Sequence, residues 1–198
     1  MLAVAKISRA SLRPVTFDVG RGECLAVRGP SGAGKSLLLR AIADLDPAEG
    51  DAWIDGAARD SMSGPQWRRL VGYLPAEPGW WADTVGAHFS DWRRAVPLVE
   101  RLGLPEEAGS WPMTRPSTGE RLRLALVRAL LVEPRVLLLD EPTAALDGQA
   151  VAKVEALIAE RLEQGLTVVW VTHDDAQVRR VARRALSIDN GICREDRL

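Results

Sequence analysis

Gly29-Pro30-Ser31-Gly32-Ala33-Gly34-Lys35-Ser36 sets three glycines, a lysine and a hydroxyl at the spacing of a phosphate-binding loop. Glycines let backbone N–H groups turn inward around phosphate oxygens. The N-terminus of the helix that follows such a loop adds a favourable dipole. Lys35 supplies a point charge to β- and γ-phosphates, and the Ser36 hydroxyl is suited to ligate Mg²⁺. A chance glycine-rich turn would lack the context present here. Leu25–Val27 reads as a strand ahead of the loop, and Leu37–Leu45 as a helix behind it.

Asp140 closes the apolar run Val136-Leu137-Leu138-Leu139, and Glu141 follows directly. A carboxylate at the tip of a central parallel strand lies beside a phosphate loop, where it can hold Mg²⁺ through water. The next carboxylate can then polarise an attacking water as a general base. Standing by itself, Asp-Glu-Pro after a strand is a solvated turn; downstream of a phosphate loop it is a catalytic arrangement. His173 sits just past a second apolar run, Leu166 to Val171, at the same edge of the sheet, where an imidazole can bond a γ-phosphate. His88, the other histidine, is given no role.

These side chains need a scaffold, and the chain has enough residues for one. Its 198 residues are 46% hydrophobic and 27% charged, the profile of one globular domain. Basic and acidic residues number 26 and 27, which argues against a dedicated nucleic-acid binder. No apolar stretch is long enough to span a bilayer, and residues 1–6 lack the pattern of a signal peptide. Two cysteines, Cys24 and Cys193, make no disulfide framework, so a reducing compartment is expected.

Short apolar strands alternate with helical stretches, which predicts an α/β fold with a largely parallel sheet. Phe17–Val19 and Cys24–Val27 read as strands around a turn, and Trp53–Gly56 as a strand entering a turn. The middle, from about Trp67 to Pro116, is irregular and holds Trp67, Trp80, Trp81, Trp92 and Trp111; a small helical subdomain is expected there, within about 78–116. Ser117 and Glu120 fit a capping box. Val151, Val154, Leu157, Ile158 and Leu162 share one helical face, and Asn190-Gly191 signals a hairpin.

At this point the chain resembles an ATP-binding cassette (ABC) ATPase over nearly its whole length. Leu139 to Asp147 resembles the family's Walker B segment joined to its D-loop, and Val171-Thr172-His173-Asp174 its switch-histidine segment. Pro116-Ser117-Thr118-Gly119-Glu120 resembles the signature motif, usually written LSGGQ. The resemblance implies a P-loop NTPase of ABC type: one domain over 1–198, a mixed and largely parallel sheet, an N-terminal antiparallel β portion and an inserted helical subdomain. It implies an ATP-hydrolysing subunit of a membrane transporter, using ATP and Mg²⁺. Two cassettes would close head to tail around two ATP molecules. Ser117, Thr118, Gly119 and Glu120 would face the nucleotide of the partner, with Ser117 and Gly119 on its γ-phosphate. Asp147 would communicate across the dimer, Glu141 would act as base, and His173 would position the γ-phosphate. The expected partners are a second cassette and a transmembrane permease, at the cytoplasmic face of the cell membrane.

Three departures stand out. The family's glutamine after a segment like Val71-Gly72-Tyr73-Leu74-Pro75 is Ala76 here, so its contact is lost or taken over by Glu77. The signature carries Pro116, Thr118 and Glu120 in place of the usual residues. Residues 1–16 hold no aromatic to stack on adenine, and Phe17 belongs to a strand. A soluble ABC ATPase acting on nucleic acid or ribosomes is a rival, but the chain has neither a second cassette nor a coiled-coil insertion. A weakly hydrolysing regulatory module is a third reading, suggested by Ala76 and opposed by Glu141 and His173. Trp80 and Trp81, in the loop after Glu77, are expected to leave at least one ring exposed in a groove that receives the permease.

Overall fold

Two apolar patterns sort the strands. Leu12, Val15, Phe17 and Val19 alternate with exposed residues, the pattern of a strand with one wet face. Residues 136–140 and 167–171 are buried at every position, as in a parallel strand covered on both sides. The protein is described here by a computed structural model, which covers residues 1–10 and 12–197.

Along the chain come β1 (Leu2–Arg9), β2 (Leu12–Val19), β3 (Cys24–Arg28) and α1 (Lys35–Ile42). Next are β4 (Glu49–Ile54), the short β5 (Ala57–Ala58), α2 (Gly64–Leu70) and β6 (Val71–Leu74). Helix α3 (Trp92–Arg101) lies between 3-10 turns at Gly86–His88 and Glu106–Ser110. Then follow α4 (Thr118–Leu130), β7 (Val136–Asp140), α5 (Gly148–Glu163), β8 (Thr167–Val171), α6 (Asp175–Val181), β9 (Arg184–Asp189) and β10 (Ile192–Arg197).

One sheet is antiparallel, in the order β2-β1-β4-β5. The other runs β10-β9-β3-β8-β7-β6 and is parallel except for β10. Phe17–Val19 and Cys24–Val27 are both in strands, but they fall in different sheets. Their burial patterns explain the split, since β3 is almost wholly buried while β2 alternates. The hairpin at Asn190-Gly191 forms with both residues at positive φ, 48° and 73°, as a two-residue primed turn requires.

Successive residues of a strand point to opposite faces, and this divides the core. Leu138, Val169 and Val171 pack with Leu38, Leu39 and Ile42 of α1 and with the antiparallel sheet. Leu137, Leu139, Val168 and Trp170 pack with α4 and α5 through Leu124, Val127, Leu157 and Ile158. Helix α1 stops at Ile42, short of the expected Leu45, because Asp44 turns left-handed at φ 56°. The stretch 78–116 holds α3, the two 3-10 turns and an isolated bridge between Thr84 and Pro112. Among the described residues no helix is long and apolar enough to cross a membrane.

Trp67 pins α2 to the end of α1. Its ring is fully buried, and Nε1 donates to the Ile42 carbonyl at 2.8 Å, one of the carbonyls that a helix end leaves free. Trp67→Phe keeps most of the packing and strands that acceptor. Unfolding free energy should fall by about 1–3 kcal/mol, read as a lower urea midpoint with an unchanged slope.

Candidate active site

Strand register sets the site. Val27 of β3 and Asp140 of β7 both pair with Val171 of β8, so the carboxyl ends of three adjacent strands finish level. The loop 29–36, Asp140–Glu141 and His173 leave the sheet from those three ends, the edge where open α/β sheets bind ligands. One strand, β8, separates the loop's strand from that of Asp140, a gap of about 10 Å at two strand spacings.

The loop joins β3 to α1 and carries each residue of the motif. Gly29, at φ 147°, comes so close to β9 that an added Cβ would lie 2.0 Å from the Ile188 carbonyl oxygen. Only glycine fits there. Gly34, at φ 103°, turns the chain into α1, and no side chain caps that N-terminus. Its free N–H groups therefore face outward with the positive end of the helix dipole. Lys35 is buried, and its Nζ donates to the carbonyls of Gly29 at 2.8 Å and Pro30 at 3.0 Å. The ammonium is thus held over the loop. Pro30, Ser31, Gly32 and Ser36 are exposed, and Ala33 and Gly34 are buried beneath them.

Asp140 is buried at the end of β7 and accepts a hydrogen bond at 3.1 Å from the Tyr73 hydroxyl. Burial, reinforced by the Asp140 charge, pushes the Tyr73 phenol well above its ordinary pKa, so it remains a donor. Ser36 and Asp140 offer one hydroxyl and one carboxylate, hard oxygen donors. Mg²⁺ takes few protein ligands of this kind and completes its shell with water and phosphate, so the pair fits it. Among the described residues no group of three His, Cys, Asp or Glu side chains forms an all-protein cage.

Glu141 has φ 49°, a left-handed conformation costing roughly 1–2 kcal/mol for a residue with a Cβ. Its N–H donates to the Val171 carbonyl at 3.1 Å and its carbonyl accepts from Ala144 at 3.2 Å, which holds the strained turn. The turn aims the carboxylate toward His173, whose Nδ1 lies 3.7 Å from Glu141 Oε2. The histidine is 70% exposed and so remains reachable by a ligand.

The capping box at the start of α4 forms as expected. Ser117 Oγ accepts from the Glu120 N–H at 3.3 Å, and Glu120 Oε2 accepts from the Ser117 N–H at 2.8 Å. Glu120 is therefore engaged in the cap, while the Ser117 hydroxyl keeps its proton to donate. Thr118 opens the helix, and Gly119 runs against the D-loop, where an added Cβ would sit 2.8 Å from the Ala145 carbonyl oxygen. Asp147 caps α5 by accepting from the Ala150 N–H at 2.9 Å. Helices α1 and α4, which follow loop 29–36 and Ser117, pack on opposite faces of the parallel sheet. Ala76 and Glu77 are exposed just past β6, and Phe17 is buried in the core.

Three residues escaped the sequence reading. Tyr73 reaches Asp140 only through the β6–β7 register, which no local pattern signals. Gln177, on α6, is buried against α5 and Thr143. His88 is buried, and its Nε2 accepts from the N–H groups of Trp81 and Ala82 at 2.8 and 2.9 Å while Nδ1 faces the Thr84 carbonyl. That ring fixes the loop carrying the two tryptophans. Trp81 is 73% exposed and Trp80 partly buried, as expected of at least one ring. Arg128 lies over both rings and also lines an apolar groove of about 290 Å³ with Val71, Tyr73, Leu74, Ala125 and Val132.

Known proteins are similar to this chain in sequence and fold. Residues 12–144 match the family model described as ABC transporter. An aliphatic sulfonates import ATP-binding protein of Pseudomonas entomophila (strain L48) is 40% identical over 190 residues, covering 92% of this chain and 69% of the relative. A phosphonates import ATP-binding protein of Trichormus variabilis is 35% identical, covering 95% and 86%. A solved ATP-binding subunit of an ABC transporter superposes with a TM-score of 0.88 at 28% identity, over 100% of this chain and 90% of that one. A dimeric ATP-binding cassette in a post-hydrolysis state, bound to ADP and Pi, superposes with a TM-score of 0.82 at 26% identity, over 100% and 99%. With the phosphate loop, the strand-end carboxylates and the family model agreeing, the chain belongs to the ABC transporter family as an ATP-binding subunit.

Proposed function

We propose that two copies of this chain sandwich two ATP molecules head to tail and hydrolyse them, with each site drawing residues from both copies. The observation that carries this reading is the level ending of β3, β8 and β7. It gathers loop 29–36, Asp140, Glu141 and His173, while α4, the helix that Ser117 caps, packs on the face opposite α1. One copy would supply residues 29–36, Asp140, Glu141 and His173, and the other Ser117 and Gly119 at its α4 N-terminus. The backbone N–H groups of the loop and Lys35 would bind the phosphates. Ser36 and Asp140 would hold Mg²⁺, which supplies charge neutralisation at the β- and γ-oxygens. Glu141 would take the proton of the attacking water, and His173 would orient the γ-phosphate. The Ala76 side chain cannot contribute a polar contact here, and the Glu77 carboxylate beside it would be the group to substitute.

Each turnover would drive a separate permease at the cytoplasmic face of the membrane, and the relatives' names support import as the direction. The stretch 78–116 would work as a helical subdomain that meets this permease. Exposed Trp81, together with Leu45 and Val132 near the groove at 41% and 55% exposure, supports a docking surface there. The cassettes that act on nucleic acid gain no support, because the chain carries a formal charge of -1.

Glu141→Gln should bind ATP normally and lose roughly 10²–10⁴-fold in turnover, read as steady-state phosphate release; near wild-type release would remove Glu141 from the role of base. A heterodimer with Lys35→Ala in one copy and Ser117→Arg in the other concentrates both lesions in one composite site. It should outperform the dimer in which one copy carries both changes, and equal activities would speak against the head-to-tail arrangement. Trp81→Ala should leave folding and hydrolysis by the isolated subunit intact but weaken co-purification with the permease by about 2 kcal/mol. Unchanged assembly would move the docking surface elsewhere.

A further inference from the structure

Gln177 is 2% exposed, yet it carries a polar amide into the junction of three elements. The Thr143 hydroxyl donates to its Oε1 at 3.1 Å and accepts from its Nε2 at 3.0 Å. Nε2 also donates to Glu155 Oε1 at 2.9 Å. Glu155 in turn takes both branches of Arg180, at 2.9 and 2.8 Å, and Asp174 lies 4.0 Å from the same guanidinium. Burial works against the Glu155 charge, but the bonds from Arg180 and Gln177 hold its carboxyl below the usual range. The amide is therefore met by a fixed carboxylate on one side and a hydroxyl on the other.

The elements so joined are the ones that carry the chemistry. Thr143 stands two residues after Glu141, in the turn that holds its left-handed backbone. Gln177 lies on α6, four residues after His173. Glu155 lies on α5, the helix that Asp147 caps. We infer that Gln177 is a positioning residue for ATP hydrolysis, setting the Glu141–His173 separation by tying the Glu141 turn, the helix that follows His173 and the helix that Asp147 caps through one amide. The inference rests on Glu141 acting as base and His173 as its neighbour on the γ-phosphate.

An apolar side chain of the same size would fill this space without desolvating an amide. Each buried polar group left unmatched costs about 1–3 kcal/mol, so the network is tolerated only because every member is paired. What such a network adds over apolar packing is a single geometry, since hydrogen-bond directions select one spacing where methyl contacts accept several. Glu141 and His173, 3.7 Å apart on two separate turns, require that selection.

The test uses the purified full chain with ATP and Mg²⁺, measuring kcat, KM, nucleotide affinity and thermal unfolding for Gln177→Leu, Thr143→Val and their combination. Each single change should lower kcat by roughly ten- to a hundredfold, the scale of a misplacement near 1 Å, with KM within about twofold of the parent. The double variant should be no slower than the slower single one, because both changes cut the same tie. Gln177→Glu should turn over faster as pH falls, because only the protonated acid can donate to Glu155; Gln177→Leu should show no such gain. Should Gln177→Leu fail to fold, Thr143→Val and Gln177→Glu carry the test. Wild-type kcat in both single variants, beside an inactive Glu141→Gln, overturns the role of Gln177 and leaves Glu141 as base. Normal turnover by Glu141→Gln overturns the reading beneath the inference, whatever Gln177 does. Losses that add in the double variant, or that fall on KM and affinity equally, mark Gln177 as ordinary core and also overturn it.

Discussion

Everything chemical in this protein hangs on the parallel pairing of β3, β8 and β7, with Val27 and Asp140 both opposite Val171. A shift of one residue in either ladder would turn inward side chains outward and move the strand ends out of line. The register is protected by burial on both faces. Leu138 and Leu137 face different cores, as do Val169 and Val168, so a slipped strand would have to repack two clusters at once. Each large apolar side chain buried there contributes roughly 1.5–3 kcal/mol. The geometry of the site is thus maintained by residues that never touch a ligand.

Around those strand ends, several groups have both a structural and a chemical task. Ser117 and Asp147 cap α4 and α5 through their side-chain oxygens, which fixes the orientation of the residues proposed to cross the dimer. Gly119 is needed for the approach of the Ala145 carbonyl, beside any contact it is proposed to make with the partner's nucleotide. Glu141 shows the opposite relation. Its backbone is strained at φ 49°, and the hydrogen bonds of the turn, extended by Thr143 and Gln177, sustain that strain. Strain held in place by a rigid surround is common where a side chain must point in a direction the relaxed chain would not choose.

Much of the site could be read from local order in the sequence. The phosphate loop, the strand-end carboxylates and the capping box depend on residues within a few positions of one another. Their physical causes are equally local: a glycine's freedom at positive φ, a helix N-terminus lacking its own acceptors, an apolar run too uniform for a wet strand. Asn190-Gly191 belongs with them, because a primed turn tolerates few other pairs. The sequence by itself therefore determined which backbone segment forms a phosphate-type loop and which carboxylates stand at the end of a buried strand.

The tertiary structure decided what lies opposite what. That β2 and β3 part into different sheets follows from which faces become covered, a property of the assembled layers and not of either segment. Tyr73 meets Asp140 through strand pairing across 67 residues, and Gln177 meets Thr143 across 34. His88 gained its place because its ring fits beneath the turn at Trp81 and satisfies two N–H groups there. A side-chain hydrogen bond needs partners within about 3 Å, and nothing in one-dimensional order sets such distances between remote residues. The sheet sets them, because its strand spacing is constant and its register is held by the apolar residues packed on both faces.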